Sequence, residues 1–262
     1  MKNARTFVVT GASGGIGGAI AEAVAARGHR LVLAGRDGTR LAALASRLPA
    51  SADPVWVASD LATADGRAAL VTACTDAGGA GGLINAAGVG CFAAFERMDD
   101  DRIDAVVTAN LTATMQLTRA LLPQLLACGS ADLVNIGSTF GSLAFPGHAA
   151  YSASKFGLYG FSEALRREFA DRGLCVHHIA PRATDTALNS AAVNALNDAM
   201  GNHSDTPAVV AQAVLAALDA GRGGRHFLGW PEKLFARLNL ACPALVDKAL
   251  AGKLALIRRH LP

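Results

Sequence analysis

A tyrosine and a lysine stand four residues apart in Tyr151-Ser152-Ala153-Ser154-Lys155, and Ser138 precedes the tyrosine by thirteen positions. On a helix, residues four apart share a face. A phenol of reference pKa about 10 is a poor acid–base group at neutral pH. A nearby ammonium stabilises the phenolate and lowers that pKa. A tyrosine tuned in this way can give a proton to a carbonyl oxygen or take one from an alcohol, and a serine hydroxyl can hold the same oxygen. A second feature lies near the N-terminus, in Thr10-Gly11-Ala12-Ser13-Gly14-Gly15-Ile16-Gly17. Glycine there permits a tight turn and lets the backbone approach a pyrophosphate, while a following helix offers free N–H groups. Taken alone, the Tyr-Lys pair is a common surface pattern and the glycine turn is often purely structural. Together they point to proton transfer beside a bound dinucleotide.

The elements that must position these residues follow from alternating apolar β runs and helical patterns, which imply a parallel sheet wrapped by helices. Strands are expected at Thr6 to Thr10, Arg30 to Ala34, Val55 to Ala58, Leu83 to Asn85, Ala131 to Ile136, Leu174 to Ile179 and Arg225 to Gly229. Helices are expected over Ile16 to Arg27, Gly38 to Leu48, Ala64 to Asp76, Asp101 to Leu126 with a bend at Pro123, and Ala150 to Arg172. Thr206-Pro207 reads as a cap and first-turn proline opening a helix to Asp219. The polar, alanine-rich stretch from Arg182 to Asp205 has few large apolar anchors and reads as a segment free to move. The chain divides into a catalytic unit over residues 1–230 and an amphipathic helical extension of one or two helices over 231–262.

Composition agrees with this reading. The 262 residues are 52% hydrophobic and 17% charged, which suits a sheet covered on both faces and argues against disorder. The formal charge of +3 comes without a basic stripe or a nucleic-acid-binding motif, so no nucleic-acid partner is expected. Cys74, Cys91, Cys128, Cys175 and Cys242 are scattered, with no CxxC pair, and read as reduced thiols in a cytoplasmic protein without a metal site. Met1 to Arg5 offers no signal peptide, and no apolar run reaches membrane-spanning length.

The end of the second strand decides the cofactor, because it meets the adenine ribose. It reads Leu33-Ala34-Gly35-Arg36-Asp37. No acid stands at the strand tip to repel a 2′-phosphate, and a guanidinium at Arg36 fits one bidentately. The expectation is NADP(H) in preference to NAD(H), with Ser13 adding a hydrogen bond. The alternative makes Arg36 a solvated helix-start residue and Asp37 the ribose ligand. Asp60-Leu61 is an adenine contact, or Asp60 a helix cap.

Over residues 5 to 230 the motif order resembles the short-chain dehydrogenase/reductase family. Thr10, Gly11, Gly15 and Gly17 match its cofactor turn, and Ile16 lies within it. Asn85-Ala86-Ala87-Gly88 matches its NNAG or NAAG segment, and Asn110 falls where the family places a structural and catalytic asparagine. Ser138, Tyr151 and Lys155 match its catalytic group. The resemblance implies an α/β, Rossmann-type doubly wound parallel sheet of about seven strands with helices on both faces. It also implies hydride transfer between nicotinamide and a carbonyl/alcohol pair. In that scheme Lys155 also holds the nicotinamide ribose, Asn110 supports a proton relay, and Pro181, Thr184 and Thr186 meet the nicotinamide end. Arg182 departs from the pattern, replacing a glycine; it either points to solvent or binds an anionic substrate group. Family members often dimerise or tetramerise through the helices expected at Asp101 to Leu126 and Ala150 to Arg172.

Other residues stay open at this level. His148 is a substrate contact or a loop hydrogen bond. His177 and His178 lie in a strand, one buried and one covered. Phe92, Phe95, Phe140 and Phe145 line an apolar pocket or form core. Asp99-Asp100-Asp101 reads as a helix-start cluster. The basic extension covers the pocket, packs between subunits or meets a membrane surface. The expected substrates are small or lipid-like carbonyls and alcohols. Competing functions are a non-catalytic NADP(H)-sensing protein and a membrane-surface protein using the tail.

Overall fold

In the computed structural model, which describes residues 4–262, seven short runs form one parallel sheet. They are β1 (Thr6–Thr10), β2 (Arg30–Gly35), β3 (Val55–Ala58), β4 (Gly82–Asn85), β5 (Ala131–Ile136), β6 (Leu174–Ala180) and β7 (Gly224–Phe227). The order is β3-β2-β1-β4-β5-β6-β7, with every adjacent pair parallel. The order reverses between β1 and β4, and sheets of this kind bind ligands at that crevice, beyond the strand carboxyl ends.

The helices are α1 (Gly15–Ala25), α2 (Gly38–Ala45), α3 (Ala64–Asp76), α4 (Asp100–Val107), α5 (Ala113–Ala127), α6 (Ala149–Glu168), α7 (Ala191–Ala199), α8 (Pro207–Asp219), α9 (Glu232–Ala241), α10 (Pro243–Ala251) and α11 (Leu254–His260). Successive strand residues point to opposite faces. Phe7, Val9, Leu31 and Leu33 therefore meet Ile20, Leu41 and Val214 of α1, α2 and α8. Val8, Val32 and Leu133 meet Leu70 and Leu117 of α3 and α5, with Leu165 of α6 packed alongside. Burial on both faces explains why β1 and β5 are apolar along most of their length.

Four expectations need correction. The long helix is two, α4 and α5, separated by a π-helical turn over Thr108–Thr112, while Pro123 lies inside α5. Helix α6 stops at Glu168, short of Arg172. The stretch from Arg182 to Asp205 contains α7, and a bridge between Thr184 and Asp205 joins its two ends. The extension has three helices, of which α11 packs on α7 through Ile257 and Leu196.

The expected helix starts are present. Asp99 caps α4 by accepting from the Arg102 N–H at 2.7 Å. Thr206 precedes Pro207 at the start of α8, although its hydroxyl makes no capping bond. No disulfide joins the five cysteines.

Candidate active site

The glycine turn is held from below by one hydroxyl. Thr10 Oγ1 accepts the N–H groups of Ala86 and Ala87, each at 3.1 Å, tying the end of β1 to the end of β4. Gly11 has φ +65°, and a Cβ there would stand 2.7 Å from the Ala87 backbone. A Cβ on Gly17 would stand 2.2 Å from the Gly11 carbonyl oxygen. Glycine is therefore required at both positions. Gly15 faces Thr186, whose methyl would lie 3.0 Å from an added Cβ, so the segment after β6 returns to the turn. Ile16 packs into the core beneath. The N-cap of α1 is Gly14, which has no side chain to occupy the first-turn N–H groups. That cradle fits a pyrophosphate.

At the end of β2, Arg36 is exposed. The Ser13 hydroxyl lies over Gly35, 2.7 Å from where a Cβ would stand. Asp37 is already engaged, capping α2 by accepting from the Arg40 N–H at 3.0 Å. A cleft of about 360 Å³ opens beside the turn, lined by Ser13, Gly14, Gly15, Arg40 and Arg47 among others. Asp60 is exposed and accepts from the Ala62 N–H at 3.0 Å, while Thr63 caps α3. Leu61 packs against the core.

Tyr151 and Lys155 lie in the first two turns of α6, and Ser138 follows β5. Ser138 hydrogen-bonds the Tyr151 phenol, and its Oγ accepts from the Phe140 N–H at 3.1 Å. Lys155 is buried; its Nζ donates to the Ile136 carbonyl at 3.0 Å and lies 5.8 Å from the centre of the Tyr151 ring. Burial pushes the lysine down to about 8. Burial also pushes the tyrosine up, and the hydrogen bond from Ser138 opposes this with smaller effect. The expected lowering of the tyrosine by the lysine is thus not what this structure shows. Desolvation dominates, and the ammonium is drawn to a carbonyl rather than to the phenol oxygen.

Asn110 sits in the π-helical turn with no exposed surface. Its Oδ1 accepts from the Val89 N–H at 2.8 Å, and its Nδ2 donates to the Val89 carbonyl at 3.0 Å and to Ser154 Oγ at 3.1 Å. Gly88 lies against it, since a Cβ there would stand 2.9 Å from Asn110 Oδ1 and 3.7 Å from Lys155 Nζ. Asn85 turns away from the crevice. Its Nδ2 donates to Asn135 Oδ1 at 2.9 Å and Thr118 Oγ1 at 3.3 Å, and Asn135 Nδ2 donates to Ser162 Oγ at 2.9 Å. His178 continues the row, in register with Asn135, with its Nδ1 3.3 Å from Ser162 Oγ. Its ring stands so close beneath Gly137 that an added Cβ there would collide with Nε2 at 2.3 Å. Burial pushes His178 down to about 3, so it is neutral. Both histidines of β6 are buried, and His177 Nε2 lies 3.1 Å from Asp132 Oδ1.

The outer wall starts at Pro181, whose carbonyl accepts from the N–H and hydroxyl of Thr139 at 2.8 and 3.0 Å. Arg182 points neither to solvent nor into the crevice. It grips Asp205 through two bonds of 2.7 and 3.0 Å, donates to the Trp230 carbonyl at 3.3 Å and stands 3.6 Å from Glu232. Thr184 is buried, its hydroxyl on the Arg182 carbonyl. His148 stacks on Phe92 at 4.9 Å, with Phe140 at 5.0 Å and Tyr151 at 6.0 Å. Burial pushes it down to about 4, opposed by a bond to the Cys91 backbone. Phe145 stacks on Phe140, whereas Phe95 is exposed apart from the group. Among the described residues, no group of His, Cys, Asp and Glu could hold a metal. Sequence reasoning passed over Asn135, Ser154 and Ser162; a polar residue inside a buried strand or helix face is the signal that would have marked them.

Residues 5–197 match the family described as short chain dehydrogenase. Carbonyl reductase family member 4 from Danio rerio is 34% identical over 219 residues, which cover 82% of this chain and 92% of that protein. A short-chain dehydrogenase from Streptomyces avermitilis superposes with TM-score 0.82 at 29% identity, covering 98% of both chains. A short-chain dehydrogenase from Sphingobium yanoikuyae, solved in complex with NADPH, superposes with TM-score 0.77 at 29% identity, covering 93% of this chain and 95% of the other.

Proposed function

We propose that this chain, which belongs to the short-chain dehydrogenase/reductase family, is an NADP(H)-dependent oxidoreductase acting on a carbonyl/alcohol pair through Tyr151. One observation carries the reading. The Tyr151 phenol meets the Ser138 hydroxyl at the carboxyl edge of the same sheet whose glycine turn leads into a helix start with no side-chain cap.

A bound nicotinamide cofactor supplies or accepts the hydride. Gly11, Gly15 and Gly17 let the backbone approach its pyrophosphate, and the first turn of α1 meets it. Ala86 and Gly88 form the floor beneath, braced by Asn85 from inside the sheet. Asp60 and Leu61 border the adenine, and Pro181, Thr184 and Thr186 close the nicotinamide end. Ser138 holds the substrate oxygen. Tyr151, kept neutral by burial, gives it a proton in reduction; in oxidation its phenolate form takes the alcohol's proton. Lys155 anchors the nicotinamide ribose from a buried position, its Nζ held on the Ile136 carbonyl. Asn110, with its carboxamide fully engaged, supports the proton relay by fixing the π-helical turn. Aromatic neighbours of Tyr151 favour small apolar or lipid-like substrates. We place the enzyme in the cytoplasm as a homodimer or homotetramer paired through α4, α5 and α6.

The preference for NADP(H) rests on Arg36 and Ser13 at the end of β2, where Asp37 is occupied by its own helix. The NADPH bound to the Sphingobium protein agrees with it. The test is a panel of carbonyls with NADPH and NADH side by side. Tyr151→Phe should lower kcat by about 10²- to 10⁴-fold without changing the melting curve; equal turnover by the variant would end this mechanism. Arg36→Ala should cut the preference for NADPH by about tenfold or more. Equal use of NADH by the unaltered protein removes the Arg36 argument.

A further inference from the structure

Among the described residues eleven large apolar side chains are exposed, and five of them fall within sixteen residues: Trp230, Leu234, Phe235, Leu240 and Leu245. The other six are scattered over residues 55–209. Trp230 precedes α9, and the other four belong to α9 and the start of α10. The inward face of α9 is already satisfied. Ala236 is buried, Asn239 Nδ2 donates to the Ser142 carbonyl at 2.9 Å, and Glu232 turns toward Arg182. Leu234, Leu238 and Ala241, at i, i+4 and i+7, make an apolar stripe on another face, with Phe235 beside it. Lys233 and Arg237, one turn apart and exposed, flank that stripe, and exposed Lys248 lies on α10. None of the three cations makes an ion pair among the described residues. Asp247 is the one exposed acid between residues 230 and 251.

An apolar stripe flanked by cations is the pattern of a helix lying in a membrane interface. Neither helix is long or apolar enough to cross a bilayer. A second copy of the chain fits less well, because a two-fold contact presents the same face to itself. It would bring the Lys233, Arg237 and Lys248 face of one copy against the same cationic face of the other, with only Asp247 to answer these charges. Anionic headgroups meet the cations while the acyl boundary takes the apolar residues. We propose that the outer face of α9 and α10 docks the protein on a lipid surface bearing anionic headgroups. Trp230, with an apolar ring and one N–H donor, suits the headgroup level.

The test is flotation of the full chain with vesicles of phosphatidylcholine, with and without phosphatidylglycerol. Binding to the anionic vesicles should exceed binding to the neutral ones by about a hundredfold at low salt, and fall as salt rises. The pair Leu234→Glu and Phe235→Glu should abolish flotation, and Lys233→Glu with Arg237→Glu should remove the preference for phosphatidylglycerol. These side chains are exposed, so an unchanged melting curve confirms that each variant folds. Failure to float with either vesicle overturns the proposal, as does equal binding to both. Sedimentation of the same proteins gives a further outcome. A unaltered chain that self-associates through this face, and is dispersed by Leu234→Glu, assigns the face to a second copy and also overturns it.

Discussion

The floor beneath Tyr151 and the wall beyond β6 both bury polar groups, but they hold them differently. In the floor, Asn85, Asn135, Thr118 and Ser162 form a row across four elements, and Asn110 and Ser154 bond from the π-helical turn to α6. In the wall, one side chain, Arg182, joins the strand exit, Asp205, the Trp230 carbonyl and the start of α9. A row distributes its partners, so each loss orphans a neighbour that cannot reach water. A single hub concentrates them, so one loss frees several segments together. The contrast suits a site whose reacting groups must stay fixed while the wall adapts to substrate.

The strongest challenge to this contrast is Asn135→Ala. It strips partners from Asn85 and Ser162 at once and should cost about 3 kcal/mol in a denaturant titration. A loss well under 1 kcal/mol would mean that the floor relaxes as readily as the wall. Arg182→Ala should cost about 2 kcal/mol, because it leaves the Asp205 carboxylate largely buried without its partner. Unlike the floor, the wall should tolerate an apolar exchange, so that Arg182→Met with Asp205→Leu recovers most of the loss. No recovery would show that the specific ionic geometry, rather than the filling of space, holds the wall.

The smallest effect is a pH dependence at the junction of the two regions. His148 has a folded pKa of about 4, below its ordinary 6.5. The unfolded chain therefore takes a proton that the folded chain refuses. The stability this contributes is complete above about pH 6.5 and is lost as pH falls toward 4. At about pH 5.5 the loss should be about 1 kcal/mol for this residue. His178, at about 3, adds a similar amount in the same direction. His148→Phe, which keeps the stack on Phe92, should flatten part of the slope in thermal melts between neutral and acidic buffer; an unchanged slope would locate the acid sensitivity elsewhere.

These regions also differed in how far they could be read beforehand. Strands β1, β3 and β5 fell at their expected limits, because short, mostly apolar runs bounded by turns leave little choice. The glycine turn and the Tyr151–Lys155 spacing were equally plain, since local geometry dictates them. What stayed hidden was set by distant partners. Arg182 finds Asp205 twenty-three residues on, and the π-helical turn exists where Asn110 reaches the backbone of Val89 twenty-one residues away. Helix α7 went unseen because only Leu196 anchors it in the core, against Ile257 from the far end of the chain. The direction of the Tyr151 shift was misjudged for the same reason: spacing reveals the neighbouring ammonium, whereas desolvation depends on everything packed around it.

The contact between Gly137 and His178 has a consequence for how this chain can change. Position 137 lies between the carbonyl that holds Lys155 and the serine that meets Tyr151, yet no side chain fits there while an imidazole stands beneath it. The two positions are therefore epistatic. A library that varies 137 alone should return only glycine among active clones. One that first places alanine at 178 opens new options at 137, so the order of substitutions decides which variants an evolving lineage can reach.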